Sequence, residues 1–385
     1  MLGGGQLGKY AVIAANAMGY RTIVLDPDSS APAAVVANEH IVAAFDDTDA
    51  LARLVAACDV VTTEFENSPA SSLEFLGESI QVAPSASCVA VAQDRIVEKA
   101  FMVEHGIEVG PHVAVRSGDQ EVIDQAALAR AADLADGGAV VKTARLGYDG
   151  KGQRRVSSRS ELTEALSDLG DVDCVVEAML DLHAEVSVII GRTADGRSSH
   201  WPIAENVHTD GILDHSTVPA AIDESLLETA VEMATSIAEA LDYVGVLAVE
   251  MFVVTDPRSN ASMLFVNEIA PRPHNSGHWT LDASVTSQFE QQVRAVCGVG
   301  LGDTSLTAPA VTMANLLGDL WFAHGGADPI EPRWSEVLAD PAATLHLYGK
   351  AEPRPGRKMG HLTVTAATPA EARSRAVALR SALTA

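Results

Sequence analysis

Lysine is nearly missing from this chain: Lys9, Lys99, Lys142, Lys151, Lys350 and Lys358 stand against 20 arginines. Basic charge as a whole is scarce, with 26 lysines and arginines facing 52 aspartates and glutamates for a formal charge of -26. A surface of that sign repels a polyanion, which excludes non-specific nucleic-acid binding and means that any anionic ligand needs a locally basic pocket. Where arginine has so largely displaced lysine, the remaining lysines are enriched at places that need a compact ammonium on a thin stem. Long apolar runs are lacking too. None approaches the roughly 18 to 20 residues that cross a bilayer, and no basic leader precedes a small-residue cleavage site. A soluble, cytoplasmic protein with no membrane partner is expected. Cysteine is sparse: Cys58, Cys88, Cys174 and Cys297 lie far apart, with neither the close pairs of a zinc site nor the density of a secreted scaffold, and read as reduced, buried thiols.

What is present suffices for a large core. A chain of 385 residues, 47% of them hydrophobic, implies two or three domains sharing one cleft. Alternating strand and helix patterns, with a helix over 10–18 and strands over 22–25, 41–44 and 60–63, predict a small parallel α/β unit over 1–87. A helix over 88–105 opens a second unit, 88–297, with strands over 139–143, 174–177, 185–190, 246–254 and 263–269 and a helix over 225–241. A third unit spans 298–385.

Several motifs carry chemistry. Gly3-x-Gly5-x-x-Gly8, with Asp26 eighteen residues further on, fits a dinucleotide fingerprint. The same loop cradles any phosphate at a helix N-terminus, and only Met1 and Leu2 precede it where a strand of about five residues is usual. Asp256 to Asn260 reads as the turn of a hairpin. A ladder symmetric about Ser259 sets Glu250 opposite Glu268, on a face shared with Ala248, Phe252, Leu264 and Val266, where two carboxylates repel unless a hard cation such as Mg²⁺ lies between them. Ion pairing with arginine is the competing reading. Lys142 at a strand end leads into a glycine-rich loop, Gly147-Tyr148-Asp149-Gly150-Lys151-Gly152, suited to closing over phosphates. Arg272, His274 and Asn275 in one turn suit a small oxyanion, whereas His274 and His278 lack the context of a helical zinc pair. Lys350, Arg354, Arg357, Lys358 and His361 form a basic cluster in an acidic chain, which reads as an anion pocket.

These residues, together with Glu64-Phe65-Glu66-Asn67, Gln93-Asp94-Arg95 and the run from Asn267 to His278, resemble the N5-carboxyaminoimidazole ribonucleotide synthetases, the PurK-type branch of the ATP-grasp ligases. The match spans nearly the whole chain. The resemblance implies an α/β ATP-grasp fold of three domains: a parallel α/β N-terminal domain, a central ATP-grasp domain and a small C-terminal domain. It implies ATP and Mg²⁺, with Lys99 and Lys142 on the nucleotide phosphates and Gly147, Gly150, Lys151 and Gly152 in the phosphate loop. It sets Glu177, Ala178, Met179 and Leu180 along the adenine, Glu185 on the ribose, Asn267 beside the nucleotide, and Glu250 and Glu268 on the metal. Glu64, Tyr148, Arg272, His274, Asn275 and Lys350 look like the bicarbonate pocket. Gly5, Gln6, Leu7, Lys350 and Arg357 look like contacts to the phosphate of 5-aminoimidazole ribonucleotide. A homodimer is implied as well. Ala144 and Leu146 depart from the arginine and glycine more usual in that phosphate loop. Rival readings are a formate-using ATP-grasp transformylase, a nicotinamide oxidoreductase built on the first glycine loop, and a nucleotide-binding regulator without catalysis.

Overall fold

The computed structural model describes residues 1–116, 125–147, 152–255 and 261–384. The chain begins with α1 (Gln6–Ala17), β1 (Ile23–Leu25), β2 (Glu39–Ile41), α2 (Thr48–Ala57), β3 (Val60–Val61), α3 (Ala70–Gly77) and β4 (Gln81–Val82). β1 pairs with β2 and β3 with β4, both in parallel. Leu2 joins the two pairs, bridging Leu25 on one side and Thr63 on the other. It is fully buried, and its N–H bonds the carbonyl of Thr62 at 2.9 Å while that of Gly3 bonds Leu25 at 3.0 Å. One residue paired on both sides thus places the glycine loop at the carboxyl edge of a parallel sheet, where such sheets bind ligands. α1 starts at Gln6, not at residue 10, because the glycine loop feeds directly into it.

The single helix expected over 88–105 is broken in two, α4 (Ala86–Ala92) and α5 (Arg95–Glu104). Asp94 lies between them in extended backbone, and its carboxylate accepts the N–H of Ile96 at 3.0 Å. That cap satisfies a donor that a continuous helix would have bonded internally, so the chain turns and redirects Arg95, Glu98 and Lys99.

β5 (His112–Val115), α6 (Gln125–Asp136), β6 (Ala139–Thr143), β7 (Gln153–Val156), α7 (Arg159–Leu169) and β8 (Cys174–Ala178) follow, their strands forming an antiparallel sheet in the order β5-β8-β6-β7. The helices bury Ala131, Leu162 and Ala165 against Val141 and Val176 of its strands.

The largest sheet has nine strands: β9 (Leu182–Arg192), β10 (Ser198–His200), β11 (Ala204–Thr209), β12 (Ile212–Val218), β13 (Gly245–Thr255), β14 (Ser262–Ala270), β15 (Ala310–Leu317), β16 (Ala343–Leu347) and β17 (Lys358–Ala366). Their order is β14-β13-β9-β11-β12-β15-β17-β16, with β10 on the far end of β9. Helix α8 (Glu224–Ala240) covers one face through Ala230, Ala234 and Ile237. After the short α9 (Thr280–Ala283), α10 (Gln288–Val296) packs on β9, β13 and α1; α11 (Ser335–Leu338) and α12 (Pro369–Ala382) close the carboxyl end. The segment after residue 297 has no separate sheet of its own among the described residues. Thr217 pairs with Thr312, so β15 to β17 extend the central sheet from β12.

The β13–β14 register sets Glu250 opposite Glu268. The turn at 256–260 lies outside the described residues. Beyond Glu250 the symmetric ladder fails: Met251 pairs with Val266 and Phe252 with Phe265, because a bulge takes up Asn267 as an extra residue. The bulge redirects Asn267, whose side chain and carbonyl then meet two lysines described below.

Tyr10 of α1 ties the segments together. Its ring contacts those of His278, Phe289, His346, Tyr348 and His361. His278 and His361 are fully buried, and burial drives both well below the ordinary imidazole value. In the unfolded chain they take up protons below about pH 6.5, while the folded state keeps them neutral, so stability falls as pH drops through that range. The urea midpoint is expected to decrease between about pH 7.5 and about pH 5.5, and His278→Phe to remove part of that dependence; an identical slope in wild type and variant would contradict this account.

Candidate active site

Two carboxylates on neighbouring strands form the centre of the site. Glu268 bonds Arg95, whose Nη1 lies 2.5 Å from Oε2, and Arg95 Nη2 also donates to the carbonyl of Gly147 at 3.1 Å. Burial alone would raise the proton affinity of Glu268, but the guanidinium outweighs it and holds the group ionised. Glu250 has no such partner among the described residues. Among the described residues no donor bonds its buried Oε1, and the nearest basic atom is His274 Nδ1 at 3.7 Å. Burial, then the charge of Glu268, pushes Glu250 up from the ordinary carboxylate range. An arginine therefore balances one carboxylate and leaves the other in need of positive charge.

On one side of this pair is a cavity of about 310 Å³ between the four-stranded and nine-stranded sheets. Its lining brings together Lys99, Lys142, Gly147, Gly152, Glu177, Ala178, Met179, Leu180, Glu185, Asn267, Glu250 and Glu268, residues marked by the sequence. Tyr148, Gly150 and Lys151 lie outside the described residues. Lys99, only 3% exposed, comes within 3.0 Å of Glu177 Oε1, and Lys142 donates to Oε2 at 2.8 Å. Lys142 also reaches Asn267 Oδ1 at 3.3 Å and Lys99 the Asn267 carbonyl at 3.4 Å. Burial opposes ionisation of Glu177, yet the two ammoniums hold it at about 2. The Glu177 carboxylate thus has a defined task, fixing both lysines. Glu185 lies 2.9 Å from His208 Nδ1. Burial works against the charged imidazole of His208, and Glu185 outweighs it.

On the other side opens a cavity of about 720 Å³, lined by Gly5, Gln6, Leu7, Glu64, Arg272, His274, Lys350 and Arg357 and reaching the same Glu250 and Glu268. The glycine loop differs from the phosphate cradle expected. The N–H of Gly4 donates to Asp26 Oδ2 at 2.7 Å, and those of Gly5 and Gly8 to Glu64 Oε1 and Oε2 at 2.9 and 3.0 Å. Two carboxylates of the chain itself occupy donors that a phosphate would have used. A Cβ on Gly5 would stand 2.8 Å from Glu64 Oε1, so glycine is required here by Glu64. Asp26, bonded to the loop, is not placed as a ribose acid. Arg272 is fixed by Glu66, with Nε 3.1 Å from Oε2. Lys350 donates to the Lys358 carbonyl at 2.8 Å, and Arg357 to that of Glu352 at 2.8 Å. Asn275 corrects the expected pocket: it is buried away from the cavity lining, and its amide exchanges two bonds of 3.0 Å with Asn315.

Sequence reasoning gave no role to Arg95, Glu98 or His208. Arg95 was visible only as part of Gln93-Asp94-Arg95, and its role depends on the helix break at Asp94. Glu98, 2% exposed, accepts the N–H of Ile269 at 2.6 Å and is pushed to about 8, chiefly by burial. His208 carries no local signal, since its position follows from the pairing of β11 with β9 and β12.

Comparison with known proteins matches most of the chain. Residues 1–93 match the ribonucleotide synthetase preATP-grasp domain, 100–289 the ATP-grasp domain, and 311–375 the phosphoribosylaminoimidazole carboxylase C-terminal domain. An N5-carboxyaminoimidazole ribonucleotide synthase of Brucella melitensis is 45% identical over 365 residues, 94% of each chain. The ADP complex of an N5-carboxyaminoimidazole ribonucleotide synthetase superimposes with a TM-score of 0.87 at 37% identity, covering 98% of this chain and 94% of that one. An Aspergillus clavatus N5-carboxyaminoimidazole synthase in complex with ADP and 5-aminoimidazole ribonucleotide gives 0.86 at 30% identity, covering 99% and 97%.

The Lys99–Glu177–Lys142 triad makes a testable stability claim. The two buried lysines share one carboxylate, so Glu177→Gln leaves both ammoniums under-compensated and is expected to lower the unfolding free energy by about 3 kcal/mol at neutral pH. Lys99→Met in the same chain should recover part of that loss in urea titrations. Equal stability of wild type and Glu177→Gln would contradict the triad's role.

Proposed function

The chain belongs to the N5-carboxyaminoimidazole ribonucleotide synthase family of ATP-grasp ligases, and from that premise we propose how its residues divide the work. It converts 5-aminoimidazole ribonucleotide and bicarbonate, with ATP, to N5-carboxyaminoimidazole ribonucleotide in purine biosynthesis. The observation that carries the residue assignment is that two cavities of different lining meet at Glu250 and Glu268. The smaller one takes the nucleotide: Lys99 and Lys142 face its phosphates with Gly147 and Gly152 beside them, Ala178, Met179 and Leu180 flank adenine, and Glu185 with His208 receives the ribose. The larger one takes bicarbonate beside Arg272 and His274 and the ribotide between Gln6, Leu7, Lys350 and Arg357. The segments 1–87, 88–297 and 298–385 contribute, in turn, the ribotide loop, the nucleotide cleft and the basic turn.

The donor set fits Mg²⁺. Glu250 and Glu268 are opposed hard oxygen ligands, and a buried, unbonded Oε1 with raised proton affinity is what a missing positive charge would leave. Bound there, the cation supplies positive charge against the nucleotide phosphates. Arg95 keeps Glu268 ionised, and Glu177 keeps Lys99 and Lys142 aimed together. In the proposed sequence a bicarbonate oxygen attacks the γ-phosphorus and ADP leaves. The resulting carboxyphosphate, or CO₂ released from it, is captured by the exocyclic amine, which loses a proton as phosphate departs. Fixed donors around the larger cavity stabilise charge that develops on the carboxyl oxygens. Family membership also supports a cytoplasmic homodimer without nucleic-acid or membrane partners. Among the described residues no helix is long and apolar enough to cross a membrane.

Phosphate release in degassed buffer tests the reading. It is expected to require ATP, Mg²⁺, bicarbonate and 5-aminoimidazole ribonucleotide together, and Arg272→Ala is expected to lose bicarbonate-dependent turnover while retaining nucleotide binding. Formate cannot fill a pocket built for a further oxygen, and each buried donor it leaves unpaired costs about 1 to 3 kcal/mol. Phosphate release with formate and glycinamide ribonucleotide, and none with bicarbonate and 5-aminoimidazole ribonucleotide, would overturn the assignment.

A further inference from the structure

A polar row continues across the sheet from the paired carboxylates. Glu250 lies opposite Ser187 on β9, whose partner on β11 is Ala204. Two residues beyond Ala204 comes Asn206, itself opposite Ser216 on β12. Paired residues project to the same face, as do residues two apart along a strand, so Ser187, Asn206 and Ser216 stand on the side of Glu250. All three are buried, and the 3₁₀ turn Asn275–Gly277 covers them with Ser276, also fully buried.

The row is hydrogen-bonded without a gap. Ser216 Oγ lies 2.7 Å from Asn206 Oδ1, and Asn206 Nδ2 lies 3.0 Å from Ser187 Oγ. Ser187 Oγ lies 2.8 Å from Ser276 Oγ, and Ser276 Oγ lies 2.9 Å from His274 Nδ1. Its direction follows from the histidine end. The backbone N–H of Ser276 reaches the same Nδ1 at 3.3 Å, and a backbone N–H can only donate, so Nδ1 accepts. Ser276 must then give its one proton to Nδ1 and accept from Ser187. Ser187, having given its proton, accepts from the Asn206 amide nitrogen, and the Asn206 oxygen accepts from Ser216. One orientation satisfies every link.

We propose that this row is a one-way hydrogen-bond wire that locks His274 in the tautomer protonated on Nε2, which makes Ser187, Asn206 and Ser276 positioning residues of the site. The inference rests on the assignment of His274 to the bicarbonate pocket. Two consequences follow for that pocket. The ring nitrogen turned from Ser276 is a fixed donor for the cavity that His274 lines, and it needs no reorientation as charge develops on a substrate oxygen. The nitrogen nearest Glu250, at 3.7 Å, carries no proton, so the imidazole does not cap the carboxylate oxygen that a cation would use. A chain of polar side chains needs only to be satisfied in order to be buried; a chain whose polarity is imposed by a backbone donor also selects a tautomer.

Long-range ¹H–¹⁵N correlation spectra of the full chain, labelled in histidine, read the tautomer directly without substrates. The His274 signals are identified by their loss in His274→Gln. In the wild type His274 is expected to show only the Nε2-protonated pattern. In Ser276→Ala and Ser187→Ala a measurable Nδ1-protonated fraction is expected, with kcat reduced about fivefold to tenfold, the effect of one net hydrogen bond, and KM for ATP unchanged. An Nδ1-protonated wild type, or the same pattern in wild type and both variants, would overturn the wire. A tautomer that shifts in the variants while kcat stays constant would uphold the wire and remove His274 from the bicarbonate pocket. Ser187→Ala, remote from the turn, provides the test if Ser276→Ala fails to fold.

Discussion

Two carboxylates directly opposite each other on adjacent buried strands repel, and the arrangement of this site follows from how that repulsion is met. Glu268 is met by Arg95, and Glu250 by no donor to its Oε1 among the described residues. The asymmetry matters because two arginines would make the pair a closed structural network, with nothing left to attract a ligand cation. Arg95 reaches Glu268 only because Asp94 stops one helix and starts another, so a cap worth about 1 kcal/mol to helix stability sets the electrostatics of the cleft. The bulge at Asn267 has a similar role. It shifts the ladder by one residue beside Glu268 and turns Asn267 to the two lysines.

The same pair lies where the chain's segments converge. β15 to β17 lengthen the central sheet, so the basic turn carrying Lys350 and Arg357 is attached to the floor on which Glu250 stands. α1 is anchored from both sides, through the Tyr10 ring cluster and through Lys9, whose ammonium donates to the Tyr348 carbonyl at 3.0 Å. Its glycine loop is held by Glu64 and Asp26 before any ligand arrives. A ribotide phosphate in the larger cavity would therefore meet side chains such as Arg357 and the residues that follow Gly5, while the N–H groups of Gly4, Gly5 and Gly8 stay committed to the chain. Preset donors and acceptors of this kind reduce the reorganisation needed during a reaction.

Local pattern carried much of this into the sequence. The pairing of Glu250 with Glu268 expected from the sequence is present, but the turn alone does not set it: from Thr255 to Met251 the ladder runs one residue off the symmetric one, and only the bulge at Asn267 brings the two carboxylates opposite, while Lys99 and Lys142 stood out by the rarity of lysine. Contacts between segments distant in the chain were not legible. Nothing near Glu64 says that it grips Gly5 and Gly8, 59 and 56 residues away. Glu177 looked like an adenine neighbour, and its task of fixing two lysines appears only when β6, β8 and α5 are brought together. Asn275 looked like a ligand donor because it follows Arg272 and His274, but the 3₁₀ turn rotates it into the core against Asn315. His208 and the serines behind His274 depend on strand pairing in the nine-stranded sheet, which periodicity alone does not specify.

The central claim is that Glu250 and Glu268 together hold the cation that serves the nucleotide phosphates. A crystal of the protein grown with ADP and Mn²⁺ in place of Mg²⁺, with data collected at the manganese absorption edge, locates the ion by its anomalous signal. The account requires an anomalous peak bonded to an oxygen of each of the two carboxylates and to the diphosphate, with Arg95 still on Glu268. A peak held by the diphosphate and water alone, with Glu250 unbonded to it, would contradict the account.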